Sequence, residues 1–330
     1  MTPDFDVIGV EYDPVRVSGR FFRIEGDRSS IWDRLLGSTV GVSPDARLAG
    51  NTLEVPWPDA LSLIRDYGSR SQQDSLRFRF RPVGEEAQSR IRAFAADVRR
   101  ANAAKRELPL VLTREAIESR LRGVGFTRRT LKSFQLRDLE RLISLPHGAN
   151  FSVPGAGKTT VTFALHLLTR SEGQHLFVVA PKAAFPAWRA IVSECIAADA
   201  PKASLEPFTV LEGQAVELDA LLHSGATRFL ITYDLMLRNP KLFANYLARH
   251  PVHLVLDESH RMKAGQDSQR GAYLLSVSVL PHRRDVLTGT PMPQRAEDLA
   301  AQLGFLWPGQ GLDIEISRGA APRDVLGNLY

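Results

Sequence analysis

Two textures of apolar and polar positions divide the chain near residue 131. Beyond it, short continuous apolar runs alternate with helical or loop stretches: NFSV, HLFVVAP, RFLITYD, VHLVLDES and RRDVLTGTP. Runs that brief and that apolar fit strands buried on both faces, and their alternation with helices predicts a parallel sheet covered on both sides. Polar clusters close those runs, where a sheet of this kind carries its functional residues. Upstream, VIGVEY and RVSGRFFRIEG read as two strands with a turn near Asp13 and Pro14. SIWDRLLG reads as a short helix, and NTLEVPWP as a third strand leading into amphipathic DALSLIRDYG. Trp57, between Pro56 and Pro58, reads as a core or interface plug. LRFRFRP alternates with period two, so one face packs while the other presents Arg77, Arg79 and Arg81. Ile91, Phe94, Ala95 and Val98 predict a long helix over residues 85–104, ended by Glu107, Leu108 and Pro109. Thr113, with Glu115 and Glu118 behind it, caps another helix. The pattern is that of an α/β protein, with a small α+β domain over residues 1–130 ahead of a parallel-sheet domain over residues 131–330.

The first polar cluster is GANFSVPGAGKTTVTFALHLLTR, residues 148–170. Here an apolar strand breaks into a proline-glycine turn and reopens as a helix whose first turn carries Lys158, Thr159 and Thr160. Gly155 and Gly157 allow backbone angles that a side chain forbids. The turn Pro154, Gly155, Ala156, Gly157 can therefore curl its N–H groups round a phosphate at a helix N-terminus. Lys158 would reach the β- and γ-phosphates of ATP, and the Thr159 hydroxyl would ligate Mg2+. Ser152 stands where the full pattern G-x-x-x-x-G-K-[ST] has its first glycine. A glycine turn before an ordinary helix is the bland reading, but strand, turn and helix in that order favour a phosphate-binding loop.

The second cluster is LVLDESHRMKAG, where Asp257 and Glu258 close an apolar strand. Phosphate-loop chemistry needs one carboxylate to hold Mg2+ and a second to orient and deprotonate the attacking water. Downstream of a G-K-T loop, adjacent acids at a strand end meet both needs, with Lys158, Asp257 and Glu258 as the candidate catalytic residues and Thr159 and Asp257 as the candidate metal ligands.

Composition adds limits. The 330 residues carry a net charge of +5 and a single cysteine, Cys195, so an internal disulfide and a cysteine zinc cluster are both excluded. Cys195 lies in apolar AIVSECIAA and reads as a packed thiol. No apolar run is long enough to cross a bilayer and the start has no signal-peptide pattern, so no membrane partner and a cytoplasmic location are expected, nucleoid-associated if the source is bacterial. Arginine crowds residues 77–141, either as solvated helix faces or as a nucleic-acid contact.

Taken in order, LKSFQLRDLE, SVPGAGKTT, VVAPKAAFPAW, LITYDLM, LDESHRMKAG and VLTGTPMP resemble the Q motif and motifs I, Ia, Ib, II and III of superfamily 2 helicases, above all the Swi/Snf-type double-stranded DNA translocases. The resemblance implies a RecA-like fold and an ATP- and Mg2+-dependent, DNA-stimulated hydrolase. It implies that Gln135 reads the adenine edge, that Lys182 and Thr232 touch DNA phosphates, and that Thr288, Gly289 and Thr290 couple nucleotide state to nucleic acid. His260 either joins that coupling or is a partly buried histidine beside a carboxylate. Trp188 is assigned mainly to packing. Motif I departs from the family's D-E-M-G-L-G-K-T, and Pro293 and Gln294 displace the usual Q-N after LTGTP. The rivals are an RNA helicase of the DEAH kind and a nucleotide-gated binding module without turnover.

Motors of the resembled type hydrolyse ATP between two RecA-like lobes, the second supplying arginine fingers worth roughly 10³ to 10⁵ in rate. Roughly 40 residues follow Pro291, against the ~100 of another α/β lobe. The expectation is that the second lobe lies outside this chain, in a longer parent chain or in trans, and that the chain alone turns over weakly. Residues 1–130 faintly resemble accessory modules ahead of the motor in annealing helicases, and would bind DNA, dock a protein partner or sense a modification.

Overall fold

The chain divides inside one long helix, Glu85–Arg106. The computed structural model describes residues 5–26, 29–39, 43, 45–106, 110–262, 265–292 and 296–327. One compact unit comprises Met1–Arg99 with Trp307–Gly311, and the other Arg100–Leu306 with Leu312–Tyr330. Residues 100–130 thus fall with the parallel-sheet unit rather than ahead of it. The physical reason is the apolar face of the Thr113-capped helix Arg114–Gly123: Ile117 and Leu121, with Phe126 beyond, enter the same core as Leu139, Phe163 and Trp188. Glu107, Leu108 and Pro109, expected to end the long helix, lie outside the described residues.

In the first unit, β1 (Asp6–Asp13), β2 (Ser18–Glu25), β3 (Arg47–Ala49), β4 (Thr52–Pro56) and β5 (Phe78–Val83) form a sheet of order β3-β4-β2-β1-β5. β5 joins β1 in parallel and the other pairs are antiparallel. Alternation does the sorting: Ile8, Val10, Phe21, Val55 and Phe78 are fully buried. The helix Trp57–Tyr67 lies close on this sheet, Trp57 meeting the Tyr12 ring edge-on at 4.9 Å. That approach needs Gly19, where a Cβ would come within 2.6 Å of the Ala60 methyl. The basic alternation of β5 is largely answered by acids, Arg79 by Asp74 and Arg81 by Glu25. β3, three exposed residues, carries no apolar pattern and escaped the sequence reading.

The second unit is built on β6 (Gly148–Asn150), β7 (His175–Val179), β8 (Thr209–Val210), β9 (Arg228–Ile231), β10 (Val252–Asp257) and β11 (Arg283–Leu287), ordered β6-β11-β10-β7-β9-β8. Every pairing is parallel, and every residue of β9, β10 and β11 is buried. This is the α/β sheet the alternating texture predicts, with strand carboxyl ends at Asn150, Val179, Ile231, Asp257 and Leu287. β6 stops at Asn150, so Phe151, Ser152 and Val153 leave the sheet for the loop. Cys195 is a packed thiol, and burial pushes its pKa up to about 11. Among the described residues no helix is long and apolar enough to cross a membrane.

A charged cluster sits inside this unit at the amino ends of β10 and β11. His166, from the helix Lys158–Thr169, approaches His253 Nδ1 at 3.3 Å, and His253 Nε2–H donates to Asp285 at 2.6 Å. Arg283 binds Asp285 from the other side at 2.6 Å and donates to the carbonyls of Leu142 and Leu145 at 2.9 Å. Burial holds both imidazoles below their ordinary pKa. Burial would raise the Asp285 carboxyl, but Arg283 and His253 outweigh it and hold it below the usual carboxylate range. Both effects have one sign. As pH falls through about 6.5 the unfolded chain takes up protons on His166 and His253 that the folded chain refuses, and lower still Asp285 must be protonated. The urea midpoint of this unit is therefore expected to fall as pH drops below about 6.5. Asp285→Asn, which strands a buried guanidinium, is expected to cost about 3–5 kcal/mol at pH 7.5 in the same measurement.

Candidate functional site

Five strand ends bring the polar clusters to one edge of the parallel sheet. After β6 the chain runs through Phe151 to Gly157, with Gly155 at φ +80° and Gly157 at φ +81°, and enters the helix Lys158–Thr169. The first turn of that helix leaves its backbone N–H groups without intrahelical acceptors. An added Cβ at Gly155 would meet nothing within 4 Å, so the cradle is open there. Lys158 lies across the loop, its Nζ donating to the Ser152 carbonyl at 2.9 Å. Ser152, in the place of the missing glycine, donates through Oγ to Asp138 at 3.2 Å. Thr159 is half-buried, whereas Thr160 is buried and its hydroxyl accepts from Arg129 at 2.9 Å.

Gln135 holds the loop from the side. Its Oε1 accepts from Lys132 N at 2.9 Å and its Nε2 donates to the Ala156 carbonyl at 2.8 Å, leaving one N–H and one lone pair. A side chain at Gly157 would collide with this amide. Gln135 thus meets the phosphate loop directly, a contact that sequence did not disclose.

Asp257 closes β10 almost buried, with 8% exposure. One carboxylate oxygen accepts from Trp188 Nε1 at 2.9 Å and the other from Glu258 N at 3.0 Å. Burial pushes this carboxyl up, with the neighbouring Glu258 adding to it and the Trp188 bond and the Lys158 charge opposing it. Trp188 is fully buried, as expected of a packing residue, but it also serves as this donor. Glu258 takes φ +54°, a left-handed conformation that costs a residue with a Cβ about 1–3 kcal/mol. That strain turns Glu258 out of the sheet, and its Oε2 lies 3.3 Å from His260 Nδ1.

His260 connects the clusters. Its Nδ1 is 2.9 Å from Thr288 Oγ1 and 3.5 Å from Thr290 Oγ1, and Thr288 Oγ1 accepts from Thr290 N at 3.1 Å. His260 is thus partly buried beside a carboxylate and also reaches the LTGTP turn. Gly289 abuts the phosphate loop: a Cβ there would come within 2.8 Å of the Pro154 ring. Gln302, fully buried and not singled out by sequence, accepts from Ser259 Oγ at 2.6 Å and donates to the Pro291 carbonyl at 2.8 Å. Its only sequence signal is an amide inside the apolar run AAQLGFL. Pro293 and Gln294, and Lys263 of the DESHRMK stretch, lie outside the described residues.

Lys182 and Thr232 come from the segments after β7 and β9 rather than from the loop after β6. Lys182 is exposed at the start of a short 3-10 turn. Thr232 caps the helix Tyr233–Arg238, its Oγ1 accepting from Leu235 N at 3.2 Å, which leaves the hydroxyl proton to donate elsewhere. Several arginines of the crowded stretch are already paired, Arg90 with Glu86, Arg114 with Glu140 and Arg129 with Glu194.

The SNF2-related domain family matches residues 151–315, half of the chain. The chain belongs to the SNF2-related family. Over 187 residues it is 33% identical to a protein named probable ATP-dependent DNA helicase CHR23 of Arabidopsis thaliana, and over 189 residues 28% identical to the nuclear protein STH1/NPS1 of Saccharomyces cerevisiae. Each alignment covers 54% of this chain but only 17% and 13%, respectively, of those relatives' own lengths. The UvsW helicase of bacteriophage T4 superposes with a TM-score of 0.43 at 14% identity, covering 91% of this chain and 97% of that one. The DEAH alternative is corrected by this membership, because DEAH proteins form a different branch of superfamily 2 and this chain reads Asp257-Glu258-Ser259-His260.

The SNF2-related site fits a Mg2+–nucleoside triphosphate. Among the described residues no trio of His, Cys, Asp or Glu gathers that could hold a metal by itself. A single carboxylate beside an open phosphate cradle is how Mg2+ is commonly held, completed by phosphate oxygens and water. A cation would also relieve the cost of the Asp257 charge in its buried place. Removing the ammonium that lies across the cradle should show whether this is the phosphate position: Lys158→Ala is expected to weaken ATP binding roughly tenfold or more in calorimetry, with the fold unchanged by circular dichroism.

Proposed function

We propose that this chain is the first RecA-like lobe of an ATP-dependent motor that moves along double-stranded DNA. The observation that carries the reading is the meeting at one sheet edge of Lys158 on its open loop with buried Asp257 and strained Glu258. Gly155, Ala156, Gly157 and Lys158 hold the nucleotide phosphates, and Thr159 and Asp257 hold Mg2+, which when bound draws charge from the phosphoryl oxygens. Glu258 orients the attacking water and takes its proton, its acceptor oxygen standing free of the sheet. His260, Thr288, Gly289 and Thr290 link that carboxylate to the loop through which the state of the nucleotide reaches the rest of the lobe.

Lys182 and Thr232 approach duplex phosphates without reading bases, a contact that steers by charge and weakens with salt. The names of the relatives support DNA as the track. A second RecA-like lobe, in the same parent chain or in trans, supplies the cation that stabilises the transition state. The first unit serves as an accessory that meets a protein partner or DNA, the paired state of Arg79 and Arg81 favouring the partner.

Steady-state ATPase with and without duplex DNA, on this chain and on chain plus second lobe, tests the proposal. This chain alone is expected to turn over slowly, and addition of the lobe to raise the DNA-stimulated rate by roughly 10³ or more. Glu258→Gln should keep nucleotide binding and lose that turnover, because the amide keeps the shape but accepts no proton. Parent-level turnover in Glu258→Gln, or nucleotide-controlled DNA binding without any turnover, would replace the motor by another base or by a binding module.

A further inference from the structure

Three segments that sequence treats separately meet on one residue. Asp257 ends β10, Trp188 belongs to the helix Phe185–Cys195 that follows β7, and Tyr233 opens the helix that follows β9. The Trp188 indole donates to Asp257 Oδ2 at 2.9 Å, and the Tyr233 hydroxyl donates to the Asp257 carbonyl at 2.7 Å. Both side chains are buried, at 0% and 4% exposure, and both spend their one polar hydrogen on the same residue. A phenylalanine ring would fill the Tyr233 space nearly as well, so packing does not explain that hydroxyl, and the Trp188 indole packs and donates at once. With Glu258 N on Oδ1, the carboxylate is clasped at each oxygen and at its own backbone. Its rotation is fixed, and each oxygen keeps a lone pair for a cation.

The clasp reaches outward as well. Trp188 follows the turn Lys182–Ala184 directly into its helix, and Tyr233 is the next residue after Thr232. Arg270 braces that second arm, pairing with Asp234 at 2.6 Å and lying 5.6 Å from the Tyr233 ring centre. A displacement of either phosphate-facing segment therefore pulls on a hydrogen bond to Asp257.

We infer that Trp188 and Tyr233 are positioning residues that, given Asp257 as the metal carboxylate, fix its orientation and tie it to the Lys182 and Thr232 segments proposed to meet DNA. Neither touches the nucleotide. Their effect is on the geometry of the metal ligand, and so on the Mg2+-supported part of binding.

The test titrates ADP into this chain by calorimetry with and without Mg2+, in the parent, Trp188→Phe and Tyr233→Phe. Tyr233→Phe keeps the ring and removes one donor, and Trp188→Phe removes one donor and also leaves a gap in the core, for which the affinity without Mg2+ is the control. The Mg2+-supported gain in ADP affinity is expected to fall about tenfold in Trp188→Phe, the scale of one lost bond to a charged group, and less in Tyr233→Phe, with affinity in the absence of Mg2+ unchanged. Nuclear magnetic resonance of the parent supplies a readout that needs no change at Trp188. One of the four indole N–H signals should move on adding Mg2+ and ADP, on adding duplex DNA, and in Asp257→Asn. If Trp188→Phe fails to fold, this spectrum and Tyr233→Phe decide. A full Mg2+-supported gain in both variants, or an indole spectrum indifferent to Asp257→Asn, overturns the inference alone. A duplex that binds without moving that signal overturns the tie to DNA. A parent chain with no Mg2+-supported ADP binding overturns the site reading and the inference together.

Discussion

A parallel sheet buried on both faces leaves polar side chains only its two ends. β9, β10 and β11 have no exposed residue, so any charge on them must be paired internally or sit where the strand stops. This chain uses both ends, and uses them differently. At the amino ends, Arg283, Asp285, His253 and His166 form a network in which Arg283 alone makes bonds to one carboxylate and two carbonyls. At the carboxyl ends, Lys158 donates to a loop carbonyl within reach of the Asp257 charge, the Asp257 carboxyl is pushed up by burial, and Glu258 holds a strained backbone angle.

That difference separates scaffold from site. A saturated buried network resists change, because removing Arg283 or Asp285 strands the charge of the other at a cost of about 3–5 kcal/mol. The amino-end network also joins the helix Lys158–Thr169, through His166, to β10 and β11. The phosphate-loop helix and the strand that delivers Asp257 are thus locked together at their far ends, and what freedom they have lies where the nucleotide is proposed to bind.

Much of this was legible in sequence because it rests on local rules. The alternation of apolar runs and helices predicts the sheet, and strand-turn-helix wording marks the phosphate loop. Adjacent acids after VHLVL fall on the strand end. What sequence did not disclose depends on contacts between distant segments. The helix Arg114–Gly123 reads as amphipathic wherever it docks, so its place in the parallel-sheet unit does not show in sequence. Trp188 shows the spacing of a packed residue, and nothing local reveals that its N–H finds a carboxylate 69 positions away. Gln302 and Gln135 are amides whose partners come from turns far along the chain. β8, two residues long, has no pattern to detect.

The links among the carboxyl-end clusters are small ones. His260 to Thr288, Gln302 to Ser259 and Pro291, and Gln135 to Ala156 are single hydrogen bonds, each contributing on the order of 1 kcal/mol net. Bonds of that size are exchanged readily when a phosphate offers a charged partner, which bonds about twice as strongly. The steric contact of Gly289 with Pro154 is of another kind, because a turn that meets a proline ring without a side chain between them has to move when the ring moves. A site held by exchangeable polar links and one tight backbone contact can hold distinct arrangements without repacking its core. A nucleotide-driven lobe requires that property, and the saturated end of the same sheet does not have it.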